Sequence, residues 1–238
     1  LLFLQCQELN IADLDLTYNT ALTELRCIWN TSLTTLNISQ NTALISLECP
    51  FNTQLSYLDV SQNTALTNLN AVECNLSALD VSQNTALIEL ACSRNSLTFL
   101  DVSQNTALEF LGCGEQYITF LDVSNNTVLT YLSCWNSQLT SLDLRNGNNT
   151  NMTQITLDGN LNLYCINVDD SVYSTNNWNF SGPGPFMFDN QHYFSNNCSG
   201  TGIEEYTTNK ELVKTIDILG RETKQTNQPL FYIYDDGT

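Results

Sequence analysis

The chain has 238 residues, of which 25 are acidic and 7 are basic, so its formal net charge is −18. A surface this acidic argues against binding to nucleic acid or to anionic membranes, because phosphate recognition needs clustered lysine and arginine. The sequence has no apolar run long enough for a transmembrane helix, so we expect the chain not to span a membrane.

A short phrase recurs at regular steps along the chain. LDVSQNTAL or a close copy begins at Leu14, Leu36, Leu58, Leu79, Leu100 and Leu121, and a last fragment begins at Leu142. The steps are 21 or 22 residues long. A fixed period of this length predicts a solenoid, in which each coil buries its apolar edge against the next coil.

Each coil contains two nested halves that read L-x-x-L-x-(C or V)-x-x-N. Alternation at Leu47-Glu48-Cys49 and at Leu58-Asp59-Val60 predicts two short strands with Leu, Cys and Val pointing inward. Asn closes each half, where its side-chain amide is expected to satisfy backbone groups of the next coil. One predicted ladder is Asn19, Asn41, Asn63, Asn84, Asn105 and Asn126; the looser one is Asn30, Asn52, Cys74, Asn95, Gln116 and Ser137.

Most of the nine cysteines form a column two residues after a repeat leucine. Its members are Cys6, Cys27, Cys49, Cys92, Cys113 and Cys134, and Ala71 takes the remaining place. A column that accepts Cys or Ala predicts small, buried, apolar positions with reduced thiols. A zinc site is not expected, because His192 lies outside the column and no CxxC pair is present.

This pattern resembles leucine-rich repeats, and more closely the nested class called IRREKO repeats. The resemblance covers residues 1–145 and implies a mainly β fold, a right-handed leucine-rich repeat solenoid with short parallel strands. We expect strands on both sides of the coil, or strands on one side and extended or 3₁₀ segments on the other. Because the chain opens inside a repeat, we also expect further coils before Leu1.

Residues 146–201 are predicted to form a degenerate coil and a C-terminal cap. The aromatic residues here are Tyr173, Trp178, Phe180, Phe186, Phe188, Tyr193 and Phe194. Cys165 and Cys198 bracket them and lie outside the column, so an oxidised pair is expected. The segment resembles the cap that follows this repeat type in secreted proteins of the Bacteroidota. We expect the aromatic residues to form the core of the cap, with a ligand platform as the alternative.

Residues 202–238 are predicted to form a small β tail domain, with strands at 213–218 and 230–234. The segment resembles the short C-terminal sorting domain of type IX secretion substrates. The matching residues are Val213, Asp217, Gly220, Arg221, Tyr232, Tyr234 and Gly237. The resemblance implies the type IX machinery as a partner, and a secreted or outer-membrane surface location. The usual closing strand is absent, so we expect the natural terminus to lie beyond Thr238.

An acidic column runs along the Leu-x-Val side of the coils. It consists of Asp15, Asn37, Asp59, Asp80, Asp101, Asp122 and Asp143. Like charges about 4.8 Å apart repel each other, so we expect each Asp to accept hydrogen bonds from nearby Ser, Thr or backbone N–H groups. The alternative is Ca²⁺ bound between coils by Asp59, Asp80, Asp101 and Asp122. No other cofactor is expected.

The outward positions on the Leu-x-Cys side vary from coil to coil. Variation on a constant scaffold is typical of a recognition surface, and exposed aromatic residues are common interface anchors. The predicted ligand-binding residues are Trp29, Phe51, Phe110, Tyr131 and Trp135. The alternative is that some of them only pack against neighbouring coils. A smaller aromatic set, Tyr57, Phe99 and Phe120, lies on the opposite side.

The sequence contains no catalytic constellation: there is one histidine, no Ser/His/Asp grouping and no Gly-rich phosphate loop. We therefore predict a binding module for a protein or a glycan and not an enzyme. The alternative is a structural or assembly component of bacterial surface machinery, such as a stalk, filament or passenger subunit.

Overall fold

The computed structural model describes residues 1–178 and 184–198 in full, and the backbone of two strands at 212–217 and 230–234. The chain divides into two compact units, Leu1–Cys198 and Ser199–Thr238. The finer boundaries after residues 145 and 201 stay a prediction.

The first unit is built on a long parallel sheet with one short strand per coil. Within the described residues this sheet has nine strands in the order β1-β2-β3-β4-β5-β6-β8-β10-β12, numbered along the chain. They are β1 (Phe3–Gln5), β2 (Glu24–Arg26), β3 (Ser46–Glu48), β4 (Asn68–Asn70), β5 (Glu89–Ala91), β6 (Phe110–Gly112), β8 (Tyr131–Ser133), β10 (Gln154–Thr156) and β12 (Phe186–Met187). Repeat leucines face each other in register, as Leu25, Leu47 and Leu69 do.

A second parallel sheet covers the Leu-x-Val side of the later coils only. Its four strands in the described part are β7 (Phe120–Asp122), β9 (Ser141–Asp143), β11 (Cys165–Asn167) and β13 (Tyr193–Ser195). The earlier coils have no strand among their described residues on this side. Both predicted alternatives therefore occur in one chain: strands on one side in the early coils, and on both sides in the later coils.

The core is the inside of the coil, filled by the repeated apolar residues. Leu47, Val60, Val81 and Leu90 are completely buried. The cysteines of the column, and Cys74, are free and buried as well. The predicted inward set and the reduced thiol column are thus confirmed.

The Asn ladders join neighbouring coils through the side-chain amides. Asn63 Nδ2 donates to the backbone oxygens of Ile38 (3.0 Å) and Asn41 (2.9 Å), which belong to the preceding coil and not to the next. In the second ladder, Cys74 replaces Asn and its thiol donates to the Cys49 oxygen at 3.0 Å. Asn160 extends this ladder into the cap, a member that the degenerate sequence had hidden.

The cap closes the end of the solenoid. Helix α1 (Ser171–Asn177) is capped at its N-terminus by Asp170, whose carboxylate accepts hydrogen bonds from the backbone N–H groups of Val172 and Tyr173. Behind the helix, Trp178 is only 1 % exposed. Its ring centroid lies 5.9 Å from that of Phe186 and 5.3 Å from that of Phe194. The predicted aromatic core is confirmed for these residues and for Phe188. It is wrong for Tyr193, which is 37 % exposed, and Phe180 lies outside the described residues.

The Cys165–Cys198 disulfide is present, as predicted. It links β11 to the segment that follows β13, and so ties two neighbouring coils of the cap together. A short 3₁₀ helix, Asn149–Asn151, fills the degenerate turn before the cap.

The second unit contains β14 (Leu212–Asp217), which pairs antiparallel with β15 (Leu230–Tyr234), as the alternating sequence predicts. Val213, Asp217, Tyr232 and Tyr234 of the predicted sorting signal lie on these strands. Gly220, Arg221 and Gly237 lie outside the described residues, and the sorting role stays a prediction.

No helix in the described part of the chain is long and apolar enough to cross a membrane.

Candidate functional site

The outward-facing residues of the nine-stranded sheet, together with the turn that follows each strand, form a surface that we call the strand face. In β2, β3 and β4 the middle leucine is buried and its two neighbours are partly exposed on the outer side. The scaffold repeats and the outward side chains do not. The strand face is therefore the part of the coil where sequence can change without disturbing the core.

Trp29 and Phe51 form an aromatic pair in the turns after β2 and β3. Their ring centroids lie 5.1 Å apart with an interplanar angle of 38°. Trp29 is 47 % exposed, and Phe51 is half-buried. Their backbone N–H groups donate to the oxygens of Pro50 (3.1 Å) and Val72 (2.8 Å) in the following coil. The coil-to-coil hydrogen bonds thus fix where both rings stand.

These two residues belong to a column with left-handed backbone. The column is Glu8 (φ 58°), Trp29 (55°), Phe51 (64°), Glu73 (56°), Arg94 (59°), Glu115 (52°) and Asn136 (47°). Glycine or asparagine normally occupies this region, and other side chains cost about 1 kcal/mol there. The turn requires it in each coil because the N–H must reach the next coil. Sequence reasoning missed the left-handed backbone of this column, for which Asn136 and, one coil further on, Gly159 were the only signals.

Phe110 and Tyr131 form a second aromatic pair, on neighbouring strands β6 and β8. Their ring centroids lie 4.3 Å apart with an interplanar angle of 21°. A Cβ atom on Gly112 would stand 3.3 Å from Phe110 Cε1, so the missing side chain lets this ring lie close to the backbone. The Phe110 ring therefore packs on the backbone of Gly112 and against the ring of Tyr131.

Trp135 lies in the turn after β8 and covers another glycine. A Cβ atom on Gly114 would stand 2.7 Å from Trp135 Cδ1, closer than real side chains approach. The Arg94 guanidinium carbon lies 5.9 Å from the centroid of the indole ring, within cation–π range. The five predicted binding residues thus share the strand face, as one tilted pair, one stacked pair and one tryptophan packed over a glycine.

Two arginines form ion pairs with four glutamates of the strand face. Arg26 Nε lies 2.8 Å from Glu24 and 3.4 Å from Glu48. Arg94 lies 3.4 Å from Glu73 and 2.9 Å from Glu115, which occupy its own column in the coils before and after. Since all these side chains are partly exposed, the pairs contribute little to stability and mainly fix the pattern of charge.

The acidic column on the other side is satisfied by local hydrogen bonds, as expected. Asp59 Oδ1 accepts the backbone N–H of Ser61 at 2.9 Å, and Asp80 Oδ1 accepts that of Ser82 at 2.9 Å. Hydrogen bonds from the backbone and the hydroxyl of Ser61 lower the pKa of Asp59 below its ordinary value. The described residues contain no group of three or more His, Cys, Asp or Glu placed to hold a metal ion.

The opposite aromatic set is not assembled into pairs like those of the strand face. Tyr57, Phe99 and Phe120 are 69 %, 62 % and 47 % exposed and stand beside the aspartates. They provide a matched set of control positions for experiments on the strand face.

Two of the buried thiols, Cys49 and Cys92, have raised pKa values. Burial raises the pKa of Cys92 to about 12, so its thiol is protonated at neutral pH. The hydrogen bond to Cys74, and then burial, raise the pKa of Cys49 in the same way. These cysteines act as apolar core residues.

Comparison with solved structures identifies the architecture. The functional domain of InlJ from Listeria monocytogenes, described as including a cysteine ladder, has 34 % sequence identity and a TM-score of 0.62 over 69 % of this chain. The chain has the leucine-rich repeat fold. This chain also has a column of buried, free cysteines.

Two further structural neighbours are bacterial leucine-rich repeat proteins. A leucine-rich repeat protein from Leptospira interrogans has 22 % identity and a TM-score of 0.53 over 59 % of this chain. The internalin InlF from Listeria monocytogenes has 21 % identity and a TM-score of 0.51 over 67 %. The present chain spans 40 % of the InlJ structure, 38 % of the Leptospira protein and 52 % of InlF.

No protein-family model and no curated protein sequence matches the chain.

Proposed function

We propose that the chain is a protein-binding leucine-rich repeat module, with Trp29, Phe51, Phe110, Tyr131 and Trp135 as its anchors. The observation that carries this proposal is the presence of two aromatic pairs on the strand face, Trp29 with Phe51 and Phe110 with Tyr131. Aromatic residues held in place lose little entropy when a partner covers them, and they dominate many interfaces. The likeness to the functional domain of InlJ, at 34 % identity, supports the leucine-rich repeat architecture on which this proposal depends.

The proposed location is secreted or at the outer-membrane surface. The Cys165–Cys198 disulfide supports it, because disulfides persist mainly in oxidising compartments. We propose export by the type IX machinery through the tail, from its resemblance to sorting domains. Deletion of residues 203–238 should keep the protein inside the cell envelope, and continued secretion of the shortened chain would argue against this route.

The anchors can be tested with two tryptophan variants and two controls. The immobilised chain is exposed to extracts of surface proteins and, separately, to a glycan array. We expect Trp29→Ala and Trp135→Ala each to lower retention of a captured protein about tenfold or more, the loss typical of interface anchors. Tyr57→Ala and Phe99→Ala should retain it, because both lie on the opposite side.

Three results would change the proposal. Unchanged capture in both tryptophan variants would rule out the strand face as the binding surface. Binding to the array alone would favour a glycan ligand on the same residues. Absence of any ligand, together with ordered assembly of the chain, would favour the structural or assembly component.

Ca²⁺ binding between coils by Asp59, Asp80, Asp101 and Asp122 stays a prediction, and the described residues show no three of these carboxylates grouped around one position. A ligand that binds only the folded state raises the unfolding midpoint. Thermal melts with added Ca²⁺ and with EDTA should then differ, and equal midpoints would reject the site.

A further inference from the structure

A shallow depression lies in the middle of the strand face, between the two aromatic pairs. It has a volume of about 320 Å³ and spans the strands β3 to β6. It is lined by Ser46, Glu48, Asn68, Leu69, Asn70, Glu89, Ala91 and Phe110. Its walls therefore combine carboxylates, amides and one aromatic ring around small side chains.

Glu89 differs from the other glutamates on this part of the strand face. Glu24 and Glu48 share Arg26, and Glu73 and Glu115 share Arg94. No basic side chain of the described residues lies within ion-pair distance of Glu89. In a chain of net charge −18, this carboxylate is a natural position for a cation supplied by a partner.

The Glu89 carboxylate is held in position by its neighbour in the sheet. Asn68 Nδ2 donates to Glu89 Oε2 at 2.8 Å across neighbouring strands. Asn68 Oδ1 in turn accepts the Thr67 hydroxyl at 2.7 Å. A carboxylate fixed by such contacts loses less freedom on binding than a mobile one.

Phe110 is the second recognition residue of the depression, beside Glu89. It pairs in register with Glu89, so that the two side chains project from neighbouring strands, whose backbones are about 4.8 Å apart. Tyr131 stacks against Phe110 at 4.3 Å and supports it from the far side. A guanidinium matches this arrangement, since it stacks on an aromatic ring and also donates to a carboxylate.

We infer that the depression between Glu89 and Phe110 receives an arginine side chain of the protein partner. The inference rests on the proposed function, because it names the chemistry by which the strand face recognises that protein.

The inference can be tested without knowing the partner. The probe is N-acetyl-arginine N-methylamide, titrated into the ¹⁵N-labelled full chain, with the uncharged citrulline analogue as comparison. Amide signals of Asn70, Glu89 and Ala91 should shift with arginine and not with citrulline. Glu89→Gln should weaken the apparent affinity about threefold to fivefold, as expected for one exposed ion pair. Glu109→Gln also removes one negative charge, but outside the depression, and should leave the affinity for the arginine probe unchanged.

Two outcomes would overturn the inference. One is a set of shifts spread over Asp59, Asp80 and Asp101 as strongly as over the depression. The other is equal weakening by Glu89→Gln and Glu109→Gln. Either would show that arginine responds only to the overall acidity of the chain.

The capture experiment separates this inference from the proposed function. If Trp135→Ala abolishes capture of a protein and Glu89→Gln leaves it unchanged, the strand face binds proteins but the arginine position is wrong. If the probe binds the depression while neither tryptophan variant affects capture, the depression stands and the proposed anchors fail.

Discussion

At the scale of single residues, this chain depends on a few polar groups placed inside each coil. The Asn ladders satisfy carbonyl oxygens at the turns, where neither sheet reaches them. An unsatisfied buried carbonyl costs about 1–3 kcal/mol, so each ladder residue matters as much as a core leucine.

Asn84→Ala should lower the free energy of unfolding by about 2–4 kcal/mol. The change removes the donor to the Val60 and Asn63 oxygens, which Asn84 Nδ2 reaches at 2.9 Å each. Urea titration monitored by circular dichroism measures the loss. The exposed neighbour Gln83→Ala should change it by less than about 0.5 kcal/mol, and equal effects of both variants would contradict the role of the ladder.

Glu73→Gly should raise the free energy of unfolding by about 0.5–1 kcal/mol, an unusual sign for a glycine substitution. Glu73 has φ 56°, which glycine adopts without strain, and its exposed contact with Arg94 at 3.4 Å is worth little. Glu89→Gly, on extended β5, should have the opposite sign. A loss of stability in Glu73→Gly would show that the turn is not strained.

The Cys92 thiol should make stability depend on alkaline pH. Its pKa is about 12 in the folded chain against an ordinary value of 9.0, so the unfolded chain loses the proton first. This contribution is complete below pH 9 and falls by about 1.4 kcal/mol per unit as pH rises from 9 towards 12. Urea titrations of wild type and Cys92→Ala, a residue the column accepts at Ala71, should converge as pH rises. A constant difference would contradict the shift.

At the scale of elements, the position of the strand in each coil could be predicted from the sequence, but the arrangement of its outward side chains could not. Alternation around Leu47 and Leu90 decides which residues are buried, so β3 and β5 follow from the sequence. The stacking of Phe110 on Tyr131 could not be predicted, because it depends on Gly112 and on rotamers. The left-handed turn at Trp29 was also hidden, since local sequence preference opposes it and only bonding to the next coil requires it.

The disulfide should stabilise the cap more than the early coils. Replacing Cys165 and Cys198 by Ser frees a loop of 33 residues, which costs about 3–4 kcal/mol in the usual entropic account. Hydrogen exchange should show faster opening around α1 and β13 and little change in β2 to β4. Uniformly faster exchange along the solenoid would show instead that the cap and the early coils unfold as one unit.

At the scale of the whole molecule, charge is the feature that opposes folding. The aspartates of neighbouring coils repel one another, and the charge of Asp80 raises the pKa of Asp59 in opposition to the hydrogen bonds from Ser61. The fold tolerates this repulsion because the hydrophobic core and the Asn ladders stabilise each coil by more than the repulsion destabilises it.

Asp80→Asn should therefore stabilise the chain by about 0.5 kcal/mol at low salt. The hydrogen bond of the turn survives, because Asn37 already makes it in the same column, accepting the Ser39 N–H at 3.1 Å. The gain should be present at about 20 mM NaCl and vanish at about 1 M, where charges are screened within about 3 Å. Thermal melts measure it, and a gain that does not depend on salt would exclude repulsion as its cause.

The regular sheet also places the residues of the strand face at fixed, equal intervals. Trp29 and Phe51 stand on the second and third coils, and Phe110 and Tyr131 on the sixth and seventh, so the pairs lie roughly 19 Å apart, four steps of about 4.8 Å. Inserting one whole coil between β3 and β6 would lengthen this distance by a single step and leave both pairs intact. A partner that touches both pairs can thus be distinguished by its length in fixed increments, independently of the side chains it presents.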